Sequence, residues 1–264
     1  MIKVLKKADD ILGIVAQEKE KATLLDLSRE LKIHKATLSH ILKAMLELGY
    51  IAKSQAKCYS IGPRISALAD RALRRSFLQE LAAEATGSLS EKLHETCSAS
   101  VIHNGIRHRI AYASFNRSVT VSVEASMETR GAPYDTATGR LLTAFLDRDN
   151  LRLVLKKNGL PGSRWNGINN ASAFNKTLAA IRKQGAAFWR SEDGQAEAVA
   201  VPVFGPDKQV WAALGIAVPV FRFRGSRREE IIRTLKSSAR QMSYNLGTRY
   251  GKAGPEHGET EKSV

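Results

Sequence analysis

The sequence predicts an α+β protein in two parts. Three helices and a β-hairpin come first, and a long linker helix then leads into a domain that mixes strands with helices. In the N-terminal segments apolar residues repeat every three or four positions, whereas several later segments are continuously apolar or alternate around Gly-containing turns. The 264 residues, 43% of them hydrophobic, are enough for a small domain and a medium-sized one.

The charge of the chain limits its partners. It contains 41 Lys and Arg against 26 Asp and Glu, a net charge of +15, which favours a polyanion such as nucleic acid or an anionic membrane surface. No segment approaches the roughly 18 apolar residues of a membrane span, and acids interrupt the apolar start, so we expect a cytoplasmic protein with no membrane partner. Cys58 and Cys97 lack CxxC spacing, so neither a disulfide framework nor a zinc site is predicted.

Local signals place the three N-terminal helices. Residues 8–17 form a first amphipathic helix. Thr23 is the predicted N-cap of a second helix, with an acid three residues later as in a capping box. After a break at 32–34, residues 38–48 repeat with helical spacing, and Gly49 is placed to end this third helix.

A β-hairpin follows, with strands predicted at 50–52 and 58–61 around a polar tip. Two helices joined by a short turn, the second with a polar and basic outer face, indicate a helix-turn-helix whose second helix fits the DNA major groove; the hairpin would be its wing. A solvated helix face is the alternative for any single residue. The predicted DNA contacts are Lys35, Ala36, Thr37, Ser39, His40, Lys43, Lys53 and Lys57.

Several segments, in this order, resemble the IclR family of bacterial transcriptional regulators, from about Lys7 to Leu246. The resemblance implies a winged helix-turn-helix, a linker helix and a GAF-like or PAS-like effector-binding domain of mixed α/β structure. It also implies three partners: a double-stranded DNA operator, a small-molecule effector and further copies of the chain in a homodimer or homotetramer. The segments are DLSRELKIHKATLSHILKAMLELGYI, YSIGPRI, APYDTATGRLLTAFL, AAIRKQGAAF, AVAVPVF and WAALGIAVP.

The chain departs from the family pattern in the turn before the third helix. The family usually has Gly-Leu-Pro-Lys-Ser-Thr, where this chain has Lys32-Ile33-His34-Lys35-Ala36-Thr37. The turn loses its glycine, so Lys32 must accept whatever backbone geometry the turn imposes, and Ala36 offers no hydroxyl to a base or phosphate. DNA binding stays the prediction, but the operator sequence is open.

The boundaries that we predict are 1–63 for the winged helix-turn-helix, 64–80 for the linker helix, 81–250 for the effector-binding domain and 251–264 for a disordered tail. The linker helix should run from 65 to 93, and Asn104-Gly105 should join two strands in a hairpin. Val119 to Val123 alternates as a third strand. The remaining helices are predicted at 135–146, 151–156, 173–183 and 227–246, and the remaining strands at 186–189, 197–204 and 209–220.

Catalytic motifs are absent from the sequence, which has no GxSxG, HExxH, GxxxxGK[ST] or GxGxxG. His103 and His108 lie on opposite arms of one predicted hairpin without a clustered carboxylate or thiol, which favours ordinary histidines over a metal site. We expect no enzyme, metal or cofactor. One rival, an enzyme with an accessory DNA-binding domain, is disfavoured by these missing motifs. The other, a nonspecific architectural DNA binder, is disfavoured because residues 1–64 hold 12 Lys and Arg against 7 acids, so most of the excess charge lies elsewhere.

An effector site is predicted where Tyr134 to Gly139 places small hydrogen-bonding residues at a helix start, because the free N–H groups there favour a carboxylate. A plain N-cap is the alternative. The resemblance implies a pocket formed by this loop, the segment before the penultimate strand and the facing strand. Arg190, near the mouth where relatives often have an acid, would favour an anion, and Trp189 could stack on a ring. The implied positions are Thr138, Gly139, Trp189, Arg190, Ser191 to Asp193, Ala198, Gly215 and Ala217.

Overall fold

The computed structural model describes residues 2–17, 22–115 and 130–250. Contacts between residues divide the chain into two units, Met1–Phe77 and Leu78–Val264. The strand expected at Val119–Val123 and the tail expected at 251–264 lie outside the described residues.

The first unit has the predicted three helices and hairpin. Its first helix begins at Lys3 rather than Ala8. The apolar stripes of the helices meet in one core around Ile11, Leu27 and Leu38, which are fully buried. The elements are α1 Lys3–Gln17, α2 Leu24–Glu30, α3 Lys35–Glu47, β1 Ile51–Lys53 and β2 Tyr59–Ile61.

The ends of α2 and α3 have the predicted caps. The Thr23 hydroxyl accepts the Asp26 N–H at 3.3 Å and the Asp26 carboxylate accepts the Thr23 N–H at 3.1 Å, which completes a capping box. After α3, Gly49 has φ +70° and donates to the Leu46 carbonyl at 3.0 Å, and the next N–H donates to Met45 at 2.9 Å. This pair of bonds is the Schellman motif, so Gly49 ends the helix as expected.

The second unit alternates strands and helices, as predicted for an α+β domain. A continuous helix over the expected linker region is confirmed, since α4 has 31 residues and spans the boundary between the units. Three short 3₁₀ turns lie at 133–135, 163–165 and 220–222. The elements are α4 Pro63–Leu93, β3 Thr96–His103, β4 Ile106–Ala113, β5 Arg130–Gly131, α5 Ala137–Ala144, α6 Arg148–Asn158, α7 Ala171–Gln184, β6 Ala187–Arg190, β7 Ala196–Phe204, β8 Val210–Pro219 and α8 Gly225–Tyr250.

The described strands of this unit form one antiparallel sheet in the order β5-β4-β3-β8-β7-β6. The predicted β3–β4 hairpin is confirmed: Asn104 and Gly105 both have positive φ, +50° and +73°, which suits a two-residue turn. The sequence did not predict the neighbours β3 and β8, which pair with Ser98 opposite Gly215.

Helices cover both faces of the sheet. A Cβ placed on Gly215 would lie 2.6 Å from the Thr138 methyl carbon, so α5 packs directly on the face that Gly215 shares with its cross-strand partner Ser98. The opposite face carries the larger apolar side chains of β7 and β8. There α8 lies against the sheet, with the Arg228 guanidinium 5.2 Å from the centre of the Phe188 ring.

Candidate functional site

The outer face of α3 is the first candidate site. Leu38, Leu42 and Met45 are buried in the core of the first unit. On the opposite side the helix presents every residue that the sequence placed there, and all six are exposed: Lys35, Ala36, Thr37, Ser39, His40 and Lys43. The helix therefore offers a row of donors, acceptors and positive charge that the unit does not use for its own packing.

The turn between α2 and α3 is tight. Lys32 has φ +52°, so the turn imposes the left-handed conformation that favours glycine. The Ser28 hydroxyl donates to the Ile33 carbonyl at 2.7 Å and fixes the turn. His34 is the N-cap of α3, and its Nδ1 accepts the Ala36 N–H at 3.4 Å. This cap was not predicted from the sequence, because His is not among the preferred N-cap residues.

The wing is the second part of this site. Lys53 closes β1 and lies 5.3 Å from the centre of the Tyr59 ring, and both Lys53 and Lys57 are exposed. Ser54 organises the tip, since its N–H donates to the Cys58 carbonyl at 2.9 Å and its carbonyl accepts the Lys57 N–H at 3.0 Å. The two lysines therefore flank a defined turn.

Gly62 joins the base of the wing to the end of α3. Its N–H donates to the Tyr50 carbonyl at 2.8 Å, and the Arg64 N–H donates to the Gly49 carbonyl at 3.0 Å. A Cβ on Gly62 would overlap the Gly49 carbonyl oxygen. Wing and α3 are thus tied together through main-chain contacts that only glycine allows.

The second candidate site is the face of the sheet under α5. Thr136, in extended geometry, is the N-cap of α5, so the single helix expected at 135–146 is instead a 3₁₀ turn followed by α5. The Gly139 N–H donates to the Thr136 hydroxyl at 3.1 Å. This is the plain N-cap that the sequence offered as the alternative to an anion site. A Cβ on Gly139 would overlap the Pro133 carbonyl oxygen, so this glycine serves close packing.

Five of the predicted effector positions come together on this face. Thr138 packs over Gly215, and Ala198 and Ala217 are cross-strand partners that are both half-buried. Trp189 pairs with Ala198 from the neighbouring strand β6 and packs against the core under α5. Small side chains here leave the sheet surface low next to the start of α5.

Arg190, Ser191 and Asp193 lie elsewhere. Arg190 follows Trp189 in β6, so the two side chains point to opposite faces, and Arg190 lies 3.8 Å from the Glu197 carboxylate. The Ser191 hydroxyl accepts the N–H of residue 196 at 2.9 Å and donates to Asp193 at 2.5 Å. These bonds hold the turn between β6 and β7, and the bond from Ser191 holds the pKa of Asp193 below its ordinary value.

Polar residues of β3 and β4 also lie on the α5 face, and they were not predicted from the sequence as part of the site. Ser100 is fully buried and accepts two hydrogen bonds, from the Thr138 hydroxyl and from Arg107 Nη1, both at 3.3 Å. Thr96 and Ser98 extend this row of hydroxyls along β3. The alternation of hydroxyl and apolar residues in TCSASV, at 96–101, was the available signal.

Arg140 organises the loops around this face. Its guanidinium is buried and donates to the carbonyls of Tyr134 (2.8 Å), Arg164 (2.8 Å) and Phe188 (3.1 Å), and it lies 4.9 Å from the centre of the Trp165 ring. Burial lowers the pKa of Arg140 to about 10, so it stays protonated at neutral pH. One side chain therefore joins the 3₁₀ turns at both 133–135 and 163–165 to strand β6.

The part of the chain that the structure describes offers little support for a metal site, a reactive thiol or a membrane span. No group of three or more His, Cys, Asp or Glu there could hold a metal ion, and the His103 and His108 rings are 6.2 Å apart. Burial, aided by Glu95, raises the pKa of Cys97 to about 12, so its thiol is unreactive. Within these same residues, no helix has the length and apolar character needed to cross a membrane.

Comparison with known proteins identifies the family of both units. The family model for the IclR helix-turn-helix domain matches residues 4–55, and the model described as the C-terminal part of bacterial transcriptional regulator IclR matches residues 70–244. The chain is 29% identical over 248 residues to the transcriptional regulator KdgR of Escherichia coli K12, covering 91% of each chain.

Two solved structures share the fold. IclR of Thermotoga maritima, 22% identical, has a TM-score of 0.55 and coverage of 94% of this chain and 100% of that one. An IclR homologue of Microbacterium hydrocarbonoxydans complexed with 4-hydroxybenzoate is 18% identical, with a TM-score of 0.55 and coverage of 93% and 99%. The match to both family models over most of the length shows that this chain belongs to the IclR family of bacterial transcriptional regulators.

Proposed function

We propose that the protein is a sequence-specific regulator whose binding to a DNA operator is changed by a small carboxylate effector. The outer face of α3 carries the proposal, because its exposed polar row lies directly opposite the buried Leu38, Leu42 and Met45. A helix presented in this way fits the major groove, and its first turns reach the base edges. The regulators that the chain resembles support a role in transcription. Such a role needs no catalytic step and would take place in the cytoplasm, where bacterial DNA lies.

The proposed DNA contacts divide into two kinds. Thr37 and Ser39 lie in the first turns of α3 and would contact bases, so removing either hydroxyl should cost about 1 to 3 kcal/mol of discrimination at one base pair. Lys53 and Lys57 on the wing would contact phosphates. Loss of one of them should weaken binding to every sequence and lower the salt slope by about one.

A selection experiment tests this half of the proposal. The purified full chain is used to select duplexes from a random-sequence pool, and gel-shift titrations then compare the enriched site with its scrambled version at several salt concentrations. Thr37→Ala should lose affinity for the enriched site alone, and Lys53→Ala for both. Lys156→Ala, which removes an exposed charge from α6, should change neither. Equal losses on both duplexes for every α3 variant would show that α3 does not read sequence.

The part of the proposal that concerns the effector rests on the small-residue surface, by which we mean the half-buried Ala198 and Ala217 of the sheet beside the start of α5. A carboxylate is supported by the fold-related protein whose structure contains 4-hydroxybenzoate. An effector can switch the protein only if it binds the DNA-competent and incompetent states with different affinity. We expect a coupling of about 5- to 150-fold, and the enriched duplex should change effector affinity by the same factor. Calorimetry with 4-hydroxybenzoate, with and without that duplex, measures this coupling; the same effector affinity in both titrations would contradict the proposal.

We further propose that the protein acts as a homodimer or homotetramer, as its resemblance to the IclR family implies. A two-fold assembly binds two half-sites about one helical turn apart. The enriched duplexes should then contain inverted repeats. We also propose the domain limits 1–63, 64–80 and 81–250. Residues 66–250 expressed alone should unfold cooperatively and bind the effector. An unfolded fragment would show that the limits are misplaced.

A further inference from the structure

Strand β3 carries a row of three hydroxyl side chains on the face that α5 covers. Thr96, Ser98 and Ser100 point to this face, because they pair with Ala217, Gly215 and Ala213 of β8. Successive members of such a row lie about 6.6 Å apart. The row therefore runs from the buried Ser100 beneath α5, past the half-buried Ser98, to the buried Thr96 at the start of β3.

The inner end of the row is fully bonded. Ser100 is 0% exposed and accepts hydrogen bonds from Thr138 and from Arg107, whose side chain is itself 3% exposed. The Thr138 hydroxyl also lies 3.3 Å from that of Thr136, the cap of α5. A positive charge thus lies directly behind the row, and the hydroxyls here are held in place.

The outer end differs. Thr96 is 4% exposed, and within the described part of the chain its Oγ1 has no hydrogen-bond partner. A buried hydroxyl without a partner is unfavourable, and native proteins leave few of them. Its cross-strand neighbour Ala217 and the next residue across, Ala198, have no polar atom with which to supply a bond. Ser98, next in the row, is half-buried, and so are Ala217 and Ala198, whose methyl groups fill little of the space above the sheet.

We propose that the effector's carboxylate binds at this outer end, with the Thr96 and Ser98 hydroxyls donating to its oxygens and the small side chains of Ala198 and Ala217 leaving room for it. The inference rests on the proposed effector-binding function and names the residues that would select the acid. Hydroxyls donate well to a carboxylate, and they also accept from a hydroxyl on the ligand. The site therefore suits small carboxylic acids, hydroxy acids among them.

Calorimetry on the full chain tests the proposal with three probes: 4-hydroxybenzoate, lactate and the neutral 4-hydroxybenzamide. The variants are Thr96→Val, which keeps the side-chain shape, and Ser98→Ala. The matched control is Thr177→Val, which removes a hydroxyl on α7 that donates to the Ala173 carbonyl at 2.9 Å. Thermal unfolding without ligand is followed for each variant.

Thr96→Val should weaken binding of whichever acid binds the wild-type chain by about 10- to 100-fold, since each bond to a charged group is lost outright. Its melting temperature should not fall, because an unpartnered hydroxyl is replaced by a methyl group. The control should keep wild-type affinity. Weaker binding together with an unchanged melting temperature distinguishes a residue that contacts the ligand from one that only stabilises the fold.

Three results would overturn the proposal. Wild-type affinity of the acids for both Thr96→Val and Ser98→Ala would show that the carboxylate lies elsewhere, while effector binding itself would stand. Equal binding of the amide and its acid would exclude carboxylate recognition. Binding of none of the probes to the wild-type chain would remove the acid class together with this site, whereas the DNA selection experiment would be unaffected.

Discussion

Replacing Arg140 with Met should destabilise the second unit by several kilocalories per mole. The guanidinium donates to three main-chain carbonyls, and each bond from a charged donor contributes about 1.5 to 3 kcal/mol. Met has a similar length and no donor, so all three buried carbonyls lose a partner. Removing the buried charge also removes its desolvation cost, which is visible in the lowered pKa of Arg140, so we expect a net loss of about 3 to 5 kcal/mol.

Tryptophan fluorescence is a suitable assay for the Arg140→Met variant, because all three Trp residues of the chain lie in the second unit. For a unit of this size the predicted loss lowers the melting temperature by roughly 6 to 20 °C. Arg148→Met, which removes an exposed arginine from the first turn of α6, is the matched control and should change stability by less than about 0.5 kcal/mol. A loss below about 1 kcal/mol for Arg140→Met would refute the idea that these bonds hold the loops.

Three further predictions concern the first unit. Gly62→Ala should cost about 2 kcal/mol or more in urea unfolding, because its Cβ would overlap the Gly49 carbonyl; an unchanged midpoint would contradict this. Thr23→Ala should cost about 1 kcal/mol at pH 7. The hydrogen bonds to Thr23 hold the pKa of Asp26 below 3.8, so the ionised carboxylate stabilises the fold above this value. The stability difference between Thr23→Ala and wild type should therefore shrink as the pH falls through the lowered pKa. A difference that does not depend on pH would show that the carboxylate makes no contribution. Lys32→Gly should stabilise the unit by about 0.5 to 1 kcal/mol by relieving φ +52°, and destabilisation would count against strain.

Features that depend on neighbouring residues were predictable from the sequence. The Thr23 capping box, the Gly49 helix end and the Asn104-Gly105 hairpin follow from residue types within a few positions of one another, and the structure confirms each. The exposed row of α3 followed from helical periodicity in the same way. Local signals therefore gave the elements of the fold and the candidate DNA contacts.

By contrast, the set of residues that form the second candidate site depends on contacts between distant parts of the sequence. The register that sets Ser98 opposite Gly215 joins strands more than a hundred residues apart, and no local pattern specifies it. The carbonyl partners of Arg140 on Arg164 and Phe188 lie 24 and 48 residues away. The predicted end of β6 was one residue short, which hid the alternation that turns Arg190 away from Trp189.

The bonding of Arg140 bears on how proteins of this kind diverge. Its three acceptors are main-chain carbonyls, which every amino acid supplies, so the residues at 134, 164 and 188 can be exchanged over generations without loss of a bond to the guanidinium. Strand β6, which carries Trp189 at the edge of the small-residue surface, is anchored by this arrangement through the carbonyl of Phe188. Side chains along that edge can therefore change during evolution while the hydrogen bonds that hold the loops are kept.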